Sequence, residues 1–277
     1  MPESLHEDIG FRASDGYELR TAVWPAAGEP KGHVVVLHGV QSHSGWYHRL
    51  GETLATAGYS TSFPNRRGSG PHQEDRGHAP SASRLLDDLA EWIGHLKQTE
   101  PALPVALAGI SWGGKLAVLT AARHPELVDA LALICPGLQP RVGVSLAEKL
   151  RIARAVLFNR RKTFPIPLAD PALFTDDPEK REFIRNDPLS LRRATAGMNA
   201  NDLARLIGRR QRATHFGCQP GQTLDELRVA GRELPIAVID VVLQAGSSVA
   251  AHRQRHDVHR QLVLADGADR PVRAGRQ

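Results

Sequence analysis

Cysteine is nearly absent: the 277 residues hold two, Cys135 and Cys218. Neither belongs to a C-x-x-C pair, and two thiols alone make no disulfide framework, so the fold must come from packing. Cys135 ends the apolar run 131–135 and reads as a small buried hydrophobe. Long hydrophobic runs are also missing. No stretch nears about 18 consecutive apolar residues, which argues against a transmembrane segment. Residues 1–12 are polar and acidic and carry no apolar signal core, so the default location is the cytoplasm. No Walker or dinucleotide glycine pattern is present, which speaks against a nucleotide-dependent oxidoreductase. No H-E-x-x-H helix appears, and His72, Asp75 and His78 read as a polar loop, so neither metal nor cofactor is expected. The net charge of +5 comes from 35 Lys and Arg against 30 Asp and Glu. These residues do not gather into a basic face interleaved with aromatics, so nucleic acid is not an expected partner. The sequence leaves the oligomeric state open.

What is present is an alternation of short strands and helices. The chain is long enough for one large α/β domain, with or without an inserted cap. Residues 17–24 alternate as an early strand, and 34–37 (Val-Val-Val-Leu) suit a strand buried on both faces. Residues 47–57 carry Leu50 and Leu54 at helical spacing, and 59–63 form a further strand. The clearest helix spans 84–97, with Leu85, Leu89, Trp92, Ile93 and Leu96 on one face and Ser81 or Ser83 as cap. Asp87 and Asp88 fall on its solvated side. Strands at 105–108 and 130–134 bracket a helix at 113–124. This rhythm implies parallel βαβ units, a mostly parallel central sheet and flanking helices. Residues 140–210 change texture. A helix at 146–158 is followed by Pro165, Pro167, Pro171, Pro178 and Pro188, with no convincing strand, and reads as a helical cap inserted over the strand ends. The expected organisation is residues 1–139 as the first part of the core, 140–210 as the cap and 211–277 as an atypical last part of the core.

Gly109-Ile-Ser-Trp-Gly113 matches G-x-S-x-G between an apolar strand and a helix, the context in which that motif carries meaning. Ser111 would sit on a strained turn that lifts its hydroxyl above the sheet edge, and side chains at Gly109 or Gly113 would collide with neighbouring backbone. The helix that follows aims its positive end at the site. The loop after the 34–37 strand, His38-Gly39, would supply one oxyanion N–H from Val40, and Trp112 the other. His38 precedes the nucleophile, whereas this fold orders its triad Ser, acid, His, so its side chain is expected to brace the loop.

These stretches together resemble a known family: His38-Gly39 with His43-Ser-Gly-Trp-Tyr47, Arg66-Arg-Gly-Ser-Gly70, and Gly109-Ile-Ser-Trp-Gly-Gly-Lys115. The chain is similar, over about residues 16–193, to the monoacylglycerol-lipase-like group of α/β hydrolases, also described as the serine aminopeptidase S33 type. The resemblance implies an α/β-hydrolase fold, a mobile cap over an acyl pocket, and esterase or lipase activity on an acyl ester such as a monoacylglycerol. Asn65 departs from the Asp that many relatives carry in the D-x-R-G-x-G loop, which is structural.

The relatives' acid lies in a G-x-D turn and their histidine in a G-A-x-H turn. Here Gly246 is followed by Ser247 and Ser248, and Ala268 by Asp269 and Arg270. Three readings stand side by side. Asp240, or Glu233, supplies the acid and His259, His256 or His252 the base, with Asp240 and His259 as the assigned pair. The chain is instead a catalytically impaired relative that binds ligands or partners. Or the tail from near Thr195 is an altered reading frame, since lysine ends at Lys180 and aromatics at Phe216.

Overall fold

The computed structural model describes residues 6–137 and 145–198, and the backbone of 226–229 and 232–239. All of these fall in the unit Met1–Val242; the second unit, Leu243–Gln277, lies outside the described residues. Nonpolar, β-branched segments build a sheet whose order is β1-β2-β4-β3-β5-β6-β10-β9. Its strands are β1 (Glu7–Arg12), β2 (Glu18–Trp24), β3 (His33–Leu37), β4 (Ser60–Pro64), β5 (Val105–Ile110), β6 (Ala130–Ile134), β9 (Glu226–Val229) and β10 (Arg232–Ile239). The run β4-β3-β5-β6-β10 is parallel, with antiparallel β1–β2 at one edge and β9 at the other. Helices α1 (His48–Thr56), α2 (Ala82–Thr99) and α3 (Trp112–Arg123) connect the strands. A central parallel strand must be apolar on both faces. Val105 and Leu107 of β5 are fully buried, and so are Val35 and Val36 of β3. From β3 the chain steps outward to β4, then returns across β3 to β5. The strand order therefore reverses between β3 and β5, where ligands of open α/β sheets bind beyond the carboxyl ends.

Expectation and structure agree on α2, which Ser81 caps by accepting a hydrogen bond from Arg84 N (3.0 Å), and on α4 (Leu146–Phe158). In the sheet, its crossovers and α2 they differ at four places. The first strand, β1, was not expected in the polar N-terminus; it alternates half-buried Ile9 and Phe11 with exposed neighbours and pairs with β2. Between β6 and β9 lie α4 and α5 (Pro178–Asn186), but also a two-stranded ribbon, β7 (Thr163–Pro165) with β8 (Arg193–Thr195). Its three-residue strands are too short to leave a period in sequence. At the sheet's far edge the strand expected at 235–243 runs Arg232–Ile239, with β9 beside it, and the one expected at 261–265 lies outside the described residues.

The fourth difference is Asp88. Expected in solvent, it is 4% exposed. Arg67, from the loop after β4, donates to it through Nε (2.7 Å) and Nη2 (2.6 Å), and Arg84 donates through Nε (2.9 Å). Arg67 also reaches Asp15 (2.9 Å) and lies 4.4 Å from the Tyr17 ring centre. Burial works against its charge, but the hydrogen bonds it donates to both carboxylates outweigh that and hold it protonated. This ion network ties the β4 loop to α2 and the β1–β2 hairpin. Removing one partner leaves an uncompensated buried charge, which costs about 3 kcal/mol or more. Arg67→Met is therefore expected to lower unfolding free energy by about 3 kcal/mol in urea titration; a loss under about 1 kcal/mol would mean Arg84 alone satisfies Asp88.

Candidate active site

Ser111 stands between β5 and α3 with φ 52° and ψ −115°. A non-glycine residue at positive φ is strained and persists only where its surroundings over-determine it. Here they do. Ser111 N donates to Ile134 O (2.9 Å), and its carbonyl accepts from Gly114 N (3.0 Å) and Gly137 N (2.8 Å). The turn also needs its glycines. A Cβ on Gly113 would lie 2.3 Å from Leu37 O, and one on Gly109 would lie 2.6 Å from Gly114 Cα. Helix α3 thus starts against the ends of β3 and β5, and its first turn, with Trp112, presents N–H groups that have no partner within the helix.

Gly39 closes the other side: a Cβ placed on it would come within 3.8 Å of Ser111 Cβ. The loop after β3 is held from behind. His38 is buried, with Nδ1 2.8 Å from Gly39 O and Nε2 accepting from Arg66 N at 3.1 Å. These partners fix the proton on Nδ1. Burial, and next the Arg66 charge, push its pKa well below the usual histidine range. The ring braces the loop, as expected, and has no nitrogen left to take a proton from serine. Asn65 is structural too. Its Oδ1 accepts from Ser44 N (2.9 Å) and its Nδ2 donates to Arg20 O (3.1 Å) and Ser44 Oγ (3.0 Å). An aspartate lacks that donor.

A histidine–carboxylate pair that the sequence did not reveal lies nearby. His43 Nε2 is 2.9 Å from Asp187 Oδ2, with both side chains almost fully buried. The same oxygen accepts from Trp46 Nε1 (2.7 Å) and Ser190 Oγ (2.7 Å). His43 Nδ1 accepts from Gly45 N (3.1 Å), so the proton sits on Nε2 and this ring too is fully engaged. The pair ties the β3 loop to the segment after α5, helped by Leu191 N donating to Gln41 O (2.8 Å) and by Arg76 Nη2 donating to Leu189 O (2.8 Å). No sequence period links residues 144 apart, and only the HSGWY stretch hinted at a role for His43.

The other sequence candidates are dispersed. His72, Asp75 and His78 lie in the loop between β4 and α2, as expected, but the two histidines are buried; His72 Nε2 meets Asn65 O (3.2 Å), His78 Nδ1 meets Thr195 Oγ1 (3.0 Å), and Asp75 pairs with Arg161 (2.6 Å). Among the described residues no group of three His, Cys, Asp or Glu is placed to hold a metal ion. No helix among them is long and apolar enough to cross a membrane. Cys135 is half-buried at φ 44°, in the turn leaving β6, rather than packed in the core. Asp240, His252, His256 and His259 lie outside the described residues, and of Glu233 only its place in β10 is described. Strand β10 ends at Ile239, which pairs with Ile134, itself paired with Ile110. The backbone of β10 therefore ends level with the residue before Ser111.

Asp187 is the group here whose titration bears on stability. Burial raises its pKa, but hydrogen bonds from Trp46, Ser190, His43 and Leu189 N outweigh that and hold it below the ordinary aspartate value. A depressed carboxyl stabilises the fold above its unfolded pKa, and that contribution disappears as pH falls through the folded pKa. Asp187→Asn is expected to cost about 1.5–3 kcal/mol at pH 7. In urea titrations at several pH values, the gap to wild type should close below about pH 4; a gap independent of pH would contradict the charged latch.

The comparisons with known proteins agree with this geometry. The monoacylglycerol lipase of Mycolicibacterium smegmatis is 28% identical over 189 residues, 68% of this chain and 67% of that protein. The monoglyceride lipase of Homo sapiens is 30% identical over 137 residues, 49% of this chain and 45% of that protein, so the chain spans less than half of it. In the fold alone, the crystal structure of a soluble variant of monoglyceride lipase from Saccharomyces cerevisiae is similar with a TM-score of 0.61 at 20% identity, covering 74% of this chain and 68% of that one. Residues 28–217 match the model of the serine aminopeptidase S33 family, and with the elbow and sheet above this makes the chain a member of that family of α/β hydrolases.

Proposed function

We propose that this chain is a serine hydrolase that cleaves carboxylic esters through an acyl-enzyme on Ser111. The observation that carries the reading is the strained backbone of Ser111, held at the sheet's switch point against Gly39. In the reaction, Ser111 Oγ gives its proton to a base as it attacks the ester carbon. The alcohol leaves with that proton, and water then cleaves the acyl-serine. The N–H groups of Val40 and Trp112 receive the negative oxygen of each tetrahedral intermediate, each contributing about 3 kcal/mol to the rate.

The acid and base assigned to this reaction are Asp240 and His259. Asp240 is the residue after β10, whose last residue is level with Ile110, so the register favours it over Glu233, which lies within the strand. The base is a histidine other than His38 and His43, because both rings use both nitrogens. That same observation favours a second reading: a catalytically impaired relative that binds ligands or partners on the same scaffold.

The substrate we infer is a lipid-like acyl ester, of which a monoacylglycerol is one. The relatives named above support it, and so does α4, which exposes Leu146, Leu150, Leu157 and Phe158. Exposed apolar strips of this kind mark contact with lipid or partner. The excursion spanning residues 140–210 is proposed as the cap over the acyl site, tied to the β3 loop through Asp187. A fluorophosphonate probe distinguishes the two readings. An active triad should label the folded protein within minutes, and Ser111→Ala should abolish the label. A folded wild type that stays unlabelled would leave the binding reading.

A further inference from the structure

We propose that Arg66 is a positioning residue that sets both halves of the oxyanion hole; the inference rests on the roles given above to Val40 and Trp112. Arg66 is buried, yet among the described residues no carboxylate pairs with it. Its partners are neutral: Nη2 donates to Val40 O (2.8 Å) and Ser69 Oγ (2.7 Å), and Nη1 lies 3.5 Å from Gly39 O. Its guanidinium carbon sits 4.5 Å from the centre of the Trp112 ring. Burying a cation without a counter-charge is unfavourable, which is why neighbouring Arg67 is flanked by Asp15 and Asp88. A chain that places a bare guanidinium here keeps it for what it touches.

What it touches is the residue on each side of the hole. In a trans peptide the C=O and the N–H point opposite ways. The Gly39 carbonyl is turned toward His38 Nδ1 and the guanidinium, so the Val40 N–H of the same peptide is turned away from them. Donors on that carbonyl polarise the peptide and make its N–H a stronger donor. The Val40 carbonyl, gripped by Nη2, fixes the next peptide plane. On the other side the cation lies over Trp112, the first residue of α3, and limits how far that residue can move. Arg66 N also donates to His38 Nε2, so arginine and histidine form one closed support behind the loop. Burial lowers the Arg66 pKa to about 9, which leaves it charged at neutral pH and close to where the oxyanion would form.

Arg66→Met keeps much of the length and removes the charge and donors; Arg66→Lys keeps the charge and loses the planar fork. Turnover of a p-nitrophenyl ester, counted per fluorophosphonate-titrated site, should fall about 100-fold in Arg66→Met, with KM changed less than about threefold. Arg66→Lys should recover part of it. A residue that merely stabilises the fold would lower the number of titratable sites and leave turnover per site unchanged, and that result overturns the proposal. A second readout needs no catalysis. In ¹⁵N-labelled protein the Val40 and Trp112 amides should shift and exchange with solvent faster in Arg66→Met; unchanged amides overturn the proposal even if the wild type proves inactive. Absence of labelling in the wild type, with those amides moving, would defeat the ester-hydrolase reading alone.

Discussion

The structure turns on the contact between the start of α3 and the end of β3. Gly113 packs its bare Cα so near Leu37 O and His38 O that no side chain fits between them. This approach fixes where α3 begins and forces the chain at Ser111 through positive φ. It also sets the β3 loop, with Gly39, against the serine. A strained turn of this kind costs about 1–3 kcal/mol and survives only because the strands on either side are buried and fully paired. The apolar sheet therefore supplies the rigidity that lets one hydroxyl stand at the switch point.

Polar groups behind that turn are arranged in two ways. Arg67, Asp88, Arg84 and Asp15 neutralise one another and join the β4 loop to α2 and the N-terminal hairpin. Arg66, one residue earlier, spends its hydrogen bonds on backbone carbonyls and a hydroxyl. Adjacent arginines of the same motif thus serve different ends, one anchoring the scaffold and the other shaping the loop beside Ser111. On the far side of that loop Asp187 collects donors from His43, Trp46 and Ser190, so the segment after α5 is tethered to the same few residues.

Much of this was legible in the sequence because it is local. The periods of α2 and α4, the double-sided apolarity of β3 and β5, and the G-x-S-x-G junction each occupy fewer than about 20 consecutive residues, the range over which periodicity speaks. Strands β1, β7 and β8 were not legible: β1 is polar on one face, and the other two are three residues long with partners some 30 residues away. The burial of Asp88 left no mark in the period of α2 because its partner, Arg67, comes from the loop after β4. The His43–Asp187 contact left no mark for the same reason. His38 was read correctly as a brace, since the order of residues along the chain excluded it as base. The assigned pair, Asp240 and His259, lies outside the described residues, and the register of β10 bears on Asp240 alone.

The proposed function requires acyl transfer to pass through Ser111. Intact-mass spectrometry of the full chain, incubated with an aryl carbamate that acylates serine and deacylates slowly, tests it most directly. The expected result is a single added carbamoyl mass, stoichiometric with released phenol and mapped by peptide digestion to Ser111. Phenol release with no adduct, or an adduct on another side chain, would contradict it.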